Sequence, residues 1–219
     1  MASPVLHWPQ ARQRLLQRLA GTRANHDPAH WRLGLAPLAS ADARLRALLP
    51  DPLRPSAVLI PLLDRPEGPG VLLTVRASGL RHHAGQVAFP GGHIETQDAG
   101  PAATALREAQ EEVGLSPDQV QVVGFLPDHV ILSGFRVTPV VALVQPQAVL
   151  RWDPGEVAGA FELPLAVLLD AAQHSVGSRL INDVPVVTRD ILYGPHRIWG
   201  ATAAMLFCLR ALAIDEDLS

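Results

Sequence analysis

The stretch from Gln86 to Gly114 limits the folds open to this chain more than any other. Gln86-Val87-Ala88-Phe89 reads as a short strand ended by Pro90-Gly91-Gly92, and a helix is predicted over Pro101 to Val113 with Gly114 as its stop. Paired glycines let the backbone turn tightly and approach a ligand, so the order is strand, glycine loop, helix. On that helix the run Arg107-Glu108-Ala109-Gln110-Glu111-Glu112 sets carboxylates three and four residues apart, which places Glu108, Glu111 and Glu112 on one face. Like charges at these spacings repel, weakening a bare helix by roughly a few tenths of a kcal/mol per pair, and a bound cation reverses the sign.

Hard Mg²⁺ or Mn²⁺ favours oxygen ligands and commonly takes a few carboxylates together with phosphate oxygens and water. A glutamate cluster beside a glycine turn supplies such a set, to which a backbone carbonyl of the loop, at Gly91, can add. Arg107 is spaced to reach Glu111 one turn on and offset the charge of the cluster.

The remainder of the chain reads as one domain with additions. Residues 10 to 20 form an amphipathic helix, Gly21 to His30 a loop, and Ala41 to Leu49 a second short helix, together an N-terminal helical appendage over residues 1–55 packed on the core. Ala57 to Leu63 and Gly70 to Arg76 read as buried strands of a hairpin. Beyond the glutamate helix, strands are expected at Val120 to Leu126, Val137 to Val144 and Glu156 to Glu162. A helix follows at Leu165 to Ala172, then short strands at Val184 to Val187 and Asp190 to Tyr193, and a closing helix at Ala201 to Ala213. Strands flank helices without regular βαβ alternation, which predicts an α/β or α+β sandwich with a mixed sheet over residues 56–214, followed by an acidic tail, 215–219.

Composition excludes several classes of partner. The 219 residues carry a formal net charge of −3, which gives no bulk attraction for nucleic acid or an anionic membrane. All 18 basic residues are arginine. No apolar run approaches the roughly 20 residues that span a bilayer, the N-terminus lacks a signal-peptide core, and the one cysteine, Cys208, sits in an apolar stretch with no internal partner. These features predict a cytoplasmic protein and leave monomer and homodimer both open.

The segment Gly92 through Leu115 resembles the Nudix box, whose pattern is G-x5-E-x7-R-E-U-x-E-E-x-G-U with U aliphatic. Arg107, Glu108, Glu111, Glu112, Gly114 and Leu115 match it. Asp98 stands where the pattern has its first Glu, eight residues rather than seven precede Arg107, and Ala109 is small for its aliphatic position. Just upstream, Leu72-Leu73-Thr74-Val75-Arg76-Ala77 through Arg81, Gly85 and Phe89-Pro90-Gly91-Gly92 is similar to the motif L-L-T-x-R-[SA]-x3-R-x3-G-x3-F-P-G-G of the coenzyme A pyrophosphatase branch of that family.

The resemblance implies a Nudix-type α/β/α sandwich and cleavage of the pyrophosphate of coenzyme A or its thioesters, with Mg²⁺ or Mn²⁺ as cofactor. It implies Glu108 and Glu112 as first metal ligands, Glu111 as a further ligand or base, and Gly91 in the metal shell. Glu156 is either an outer ligand or base, or ordinary surface charge. Arg76, Arg81 and Gly85 belong to the substrate side, the arginines being suited to bidentate phosphate contacts. His82 and His83 read as polar loop residues, because adjacent side chains diverge in an extended segment. Trp152 and Trp199 are core residues or stacking surfaces. Two other functions fit the same residues: a Nudix pyrophosphohydrolase for another nucleoside diphosphate derivative, and a catalytically silent nucleotide-binding module. The second would show the loss of a helix glutamate, and none is lost here.

Overall fold

A computed structural model describes residues 8–24, 32–33, 36–37, 42–79 and 83–214. The hairpin forms as expected from β3 (Arg54–Arg65) and β4 (Gly68–Arg76), after two short strands, β1 (Arg32–Leu33) and β2 (Ala36–Pro37). Then come β5 (Val87–Ala88), β6 (Gly91–His93) and the helix α3 (Pro101–Val113). β7 (Val120–Phe125), β8 (His129–Ile131), β9 (Phe135–Val144) and β10 (Val157–Pro164) complete a mixed nine-stranded sheet among the described residues. Its path is β1-β8-β9-β3-β4-β10, with β3 parallel to β9 and antiparallel to β4.

Both faces of this sheet are buried, which is why its central strands read as continuous apolar runs. Alternation along β3 sends Ala57, Leu59 and Leu63 to one side, where they pack with Ala105, Ala109 and Val113 of α3. Ile60 and Leu62 go to the other side. There they meet α1 (Trp8–Leu19) through Ala11, Leu15 and Leu19, and α5 (Gly200–Ile214) through Leu206, Leu209 and Leu212. The result is the helix, sheet, helix sandwich with a mixed sheet that the sequence predicts. Cys208 is a buried free thiol on α5, with its Sγ 3.7 Å from Nε2 of the buried His129.

Several local expectations are corrected. The two short strands expected at 184–187 and 190–193 are one strand, β12 (Val184–Tyr193), which pairs along its length with β11 (His174–Ile181). β11 is exposed along most of its length and shows no alternating apolar pattern in sequence. β13 (His196–Ile198) joins the far edge of β12, and β2 also pairs with β12, giving a second, four-stranded sheet. The helix expected to reach Ala172 ends earlier, as α4 (Leu165–Leu169), and a 3-10 turn follows at Ala171–Gln173, where Asp170 accepts a hydrogen bond from Ala172 N–H at 3.0 Å. Gly91–His93, read as loop, is strand paired to Ser56–Val58. The second N-terminal helix is α2 (Asp42–Arg46); the acidic tail and most of the loop after Gly21 lie outside the described residues. No helix among the described residues is long and apolar enough to cross a membrane.

Leu15 is fully buried in the same cluster as α5, so α1 is part of the core's closure. Leu15→Ala should therefore cost about 2–5 kcal/mol of stability. Chemical denaturation checks this, and a loss below about 1 kcal/mol would show that α1 does not close that face.

Candidate active site

Helix α3 divides its surface into three stripes, four residues apart within each. Ala105, Ala109 and Val113 face the sheet; Thr104, Glu108 and Glu112 run beside them; Arg107 and Glu111 lie outermost. Ala109, small for the pattern, is fully buried against Ala57 and Leu59 of β3, so the helix sits close to the sheet. The three glutamates are thus unequal: Glu112 is 5% exposed, while the side chains of Glu108 and Glu111 are 14% and 57% exposed.

The glycine pair faces this stripe at contact distance. A Cβ on Gly92 would lie 2.2 Å from Oε1 of Glu108, and one on Gly91 would lie 2.4 Å from the Ala57 carbonyl oxygen. Any side chain there would displace either the glutamate or the strand, so the glycines are required by close approach. At the other end of the helix Gly114 adopts φ 69°, ψ 19°, and its N–H donates to the Gln110 carbonyl at 3.0 Å.

Burial pushes the Glu112 carboxyl up to about 8, against the nearby positive charge of Arg76 and with added repulsion from Glu108 and Glu156; a hydrogen bond from the Gly91 backbone works the other way. Glu108 is also raised, first by burial, with Arg107 opposing and Glu111 and Glu156 adding to the rise. Arg107 lies 2.9 Å from Glu108 and 3.1 Å from Glu111, as its spacing on the helix predicts for the latter.

The role of Asp98 is visible only in three dimensions. Arg107 grips it with both ends of the guanidinium, Nε to Oδ1 at 3.2 Å and Nη2 to Oδ2 at 3.1 Å, and also donates to the His93 carbonyl at 3.2 Å. Asp98 further accepts from the Glu95 N–H at 3.0 Å and the Thr104 hydroxyl at 2.8 Å. These bonds, that from Arg107 foremost, hold its carboxyl well below the usual range. The loop carrying the extra residue is therefore tied to the helix at one point, and a shorter acid at that point still reaches Arg107. No local pattern in the sequence gives Thr104 and Asp98 this role; an acid nine residues before the arginine is the available signal.

Glu156 and Arg76 complete the setting. The turn 153–156 is stitched to both neighbours: Asp153 N–H donates to the Glu112 carbonyl at 3.1 Å, Glu156 N–H to the Asp153 carbonyl at 3.1 Å, and Ala77 N–H to the Glu156 carbonyl at 2.8 Å. This brings Glu156, exposed and distant in sequence, within charge range of Glu108 and Glu112. Arg76, at the end of β4, has its Nε buried with no hydrogen-bond partner. Gly85 has φ +71° and donates its N–H to the Arg76 carbonyl at 3.0 Å, closing the loop at its base. His83 is exposed and bonds Gln86, and Trp152 is 44% exposed; Arg81 and His82 lie outside the described residues.

Among the described residues no three His, Cys, Asp or Glu side chains are gathered closely enough to hold a metal ion as they stand. The donor set nevertheless fits a hard divalent cation. Glu108 and Glu112 are desolvated carboxyls, Glu108 paired with Arg107, Glu156 adds a third within charge range, and Arg76 is the cation nearest in effect to Glu112. Their raised pKa values are what such an ion would reverse.

The NUDIX domain family model matches residues 53–183. The chain is 53% identical over 164 residues to a protein of Cronobacter sakazakii named "Uncharacterized Nudix hydrolase NudL", covering 74% of this chain and 84% of that one. It is 51% identical over 146 residues to the NudL of Salmonella paratyphi B, covering 67% and 70%. Two solved structures share the fold: a Nudix hydrolase of M. smegmatis, RenU, with a TM-score of 0.50 at 22% identity over 76% of this chain and 89% of that chain, and a MutT/nudix family protein of Enterococcus faecalis, with 0.51 at 16% identity over 81% and 70%.

The raised Glu112 gives a pH prediction for the protein kept free of metal with a chelator. A carboxyl whose folded pKa lies above its unfolded value of 4.5 loses stability for the protein as pH climbs from that value to about 8. Glu112→Gln should therefore melt several degrees above the parent chain at pH 8 and close to it at pH 4. Equal melting temperatures at pH 8 would mean that Glu112 is not buried as described.

The matched residues make up more than half of the chain and include the helix Pro101–Val113 and its glycine pair, and the chain belongs to the Nudix hydrolase family.

Proposed function

We propose that this chain hydrolyses the pyrophosphate bond of coenzyme A or its thioesters, releasing adenosine 3′,5′-bisphosphate and 4′-phosphopantetheine or its acyl form, with Mg²⁺ or Mn²⁺ as cofactor. Pyrophosphohydrolysis with a divalent cation is the chemistry of the family; the substrate rests on the segment Leu72 to Gly92. One observation carries it: the two ends of that segment border the helix glutamates. Arg76 lies within charge range of Glu112, and Gly92 lies against Glu108. A motif tied to the choice of substrate thus borders the groups that act on phosphate.

A phosphoanhydride resists hydrolysis because its charged oxygens repel a nucleophile. A bound divalent cation neutralises them and lowers the pKa of an attacking water. Glu108 and Glu112 would hold that ion, with Gly91 beside Glu112. The buried Nε of Arg76 lacks a partner, which supports assigning this side chain to a phosphate oxygen, and Arg81 joins it in this reading. Arg107 acts by position: it links Asp98 of the loop to Glu108 and Glu111 of the helix, which fixes the cluster's geometry. Glu111 is engaged with Arg107, whereas Glu156 comes to Glu108 and Glu112 from a separate segment. Glu156 is therefore assigned to accept the proton of the attacking water.

Glu112→Gln should lower kcat by about 10²-fold or more while the protein stays folded, and a chelator should abolish turnover. Full activity under either condition would remove the mechanism. Glu156→Gln should lower kcat by about 10²–10⁴-fold and Glu111→Gln by less than about tenfold; the reverse order would move the base to Glu111. Substrate choice is decided by comparing kcat/KM for coenzyme A, acetyl-coenzyme A, ADP-ribose and a dNTP. Coenzyme A in last place would overturn the substrate while leaving pyrophosphohydrolysis in place.

A further inference from the structure

Beside β5 lies a half-open cleft of about 160 Å³, room for a short chain and too little for a whole nucleotide. Leu33, Leu45, Val130, Leu132, Trp199 and Ala201 form most of its wall, and among the described residues no ionisable side chain lines it. Its other polar side chains are largely committed. The Thr202 hydroxyl donates to the Val87 carbonyl at 3.0 Å, and Gln86 Oε1 is bonded by His83 at 2.8 Å. Such a wall disfavours a phosphate or any other charged group, because nothing in it compensates for lost hydration. It favours an aliphatic chain. One side of the Trp199 ring is already covered by the Arg179 guanidinium, 4.7 Å from its centroid, so a base stacked there would have to compete for the ring.

Two further observations tie the cleft to the substrate. Gln86, on its wall, accepts a hydrogen bond through its carbonyl from Arg76 N–H at 3.0 Å, so wall and phosphate-side arginine are adjacent across one strand pairing. The cleft is also built largely by what flanks the shared domain. Leu33 and Leu45 precede residues 53–183, the part that the family model matches, and Trp199 to Thr202 follow them. The motif that points to coenzyme A lies within that middle part, and the flanking residues add a wall that the matched part alone does not supply.

We infer that this cleft binds the uncharged, aliphatic end of the substrate's non-nucleotide half, the acyl chain of a coenzyme A thioester, and so makes the enzyme favour thioesters with a chain over free coenzyme A. The inference rests on the substrate reading given above and adds a second site to it. Each methylene buried in such a wall is worth roughly fourfold in affinity, so a chain of six carbons placed even in part within it gives a large gain.

The test is the ratio of kcat/KM for hexanoyl-coenzyme A to that for free coenzyme A, measured on one preparation so that the active fraction cancels. In the parent chain this ratio should exceed about tenfold and rise from butanoyl to hexanoyl. Ala201→Phe, which fills the cleft from the first turn of α5, should bring it close to one. Leu132→Asn, which sets an amide on a half-buried wall position, should lower it in the same direction and serves if the first variant does not fold. A ratio near one in the parent chain, or a ratio left unchanged by both variants, overturns the inference while the substrate reading stands. If no coenzyme A compound is turned over but ADP-ribose or a dNTP is, the substrate reading falls and takes the inference with it.

Discussion

Close contact between a glycine pair and a stripe of half-buried glutamates is the constraint on which the site depends. Gly92 lies against the Glu108 carboxylate, Gly91 lies on the backbone of β3, and Glu112 is buried beside them with a hydrogen bond from Gly91. Desolvating two like charges four residues apart is unfavourable by itself, and the fold accepts it by holding α3 close to the sheet through Ala105 and Ala109. That cost is concentrated where a divalent cation can offset it. A divalent cation bound there would relieve that electrostatic cost.

Around that contact the chain uses tethers from far away in sequence. Asp98 joins the loop to Arg107, and the turn at 153–156 joins the end of α3 to the end of β4. Each tether is mostly backbone or charge-assisted hydrogen bonding, which fixes direction as well as distance. The consequence is that Glu108, Glu112, Glu156 and Arg76, which come from three separate segments, act on one another electrostatically. The chemistry therefore depends on the sandwich as a whole, and α1 and α5 matter to it because they close the face opposite α3.

In the proposed reading, recognition of the acyl chain and catalysis use different parts of the architecture. Nudix-type chemistry sits on the part of the chain that the family shares, whereas the apolar cleft draws much of its wall from the flanks. β5 connects the two, since it follows the loop closed by Gly85 and Arg76 and also lines the cleft.

The sequence by itself determined the helix, its glycine stop, the hairpin and the closing apolar helix, because each is written in local signals: spacing of three and four, apolar runs, Pro and Gly at the ends. It also determined that Arg107 meets Glu111, a contact within one helix turn. It left β11 invisible, since an exposed strand with polar and apolar residues mixed has no period to detect and exists because β12 offers a partner. Only the tertiary structure decided that Glu112 is buried and Glu111 is not. Three glutamates at helical spacing look alike until the sheet fixes which side of the helix loses its water. Asp98 and Glu156 belong with them for the same reason: their roles come from hydrogen bonds and charges across many residues of sequence, and no local pattern encodes a distance in space.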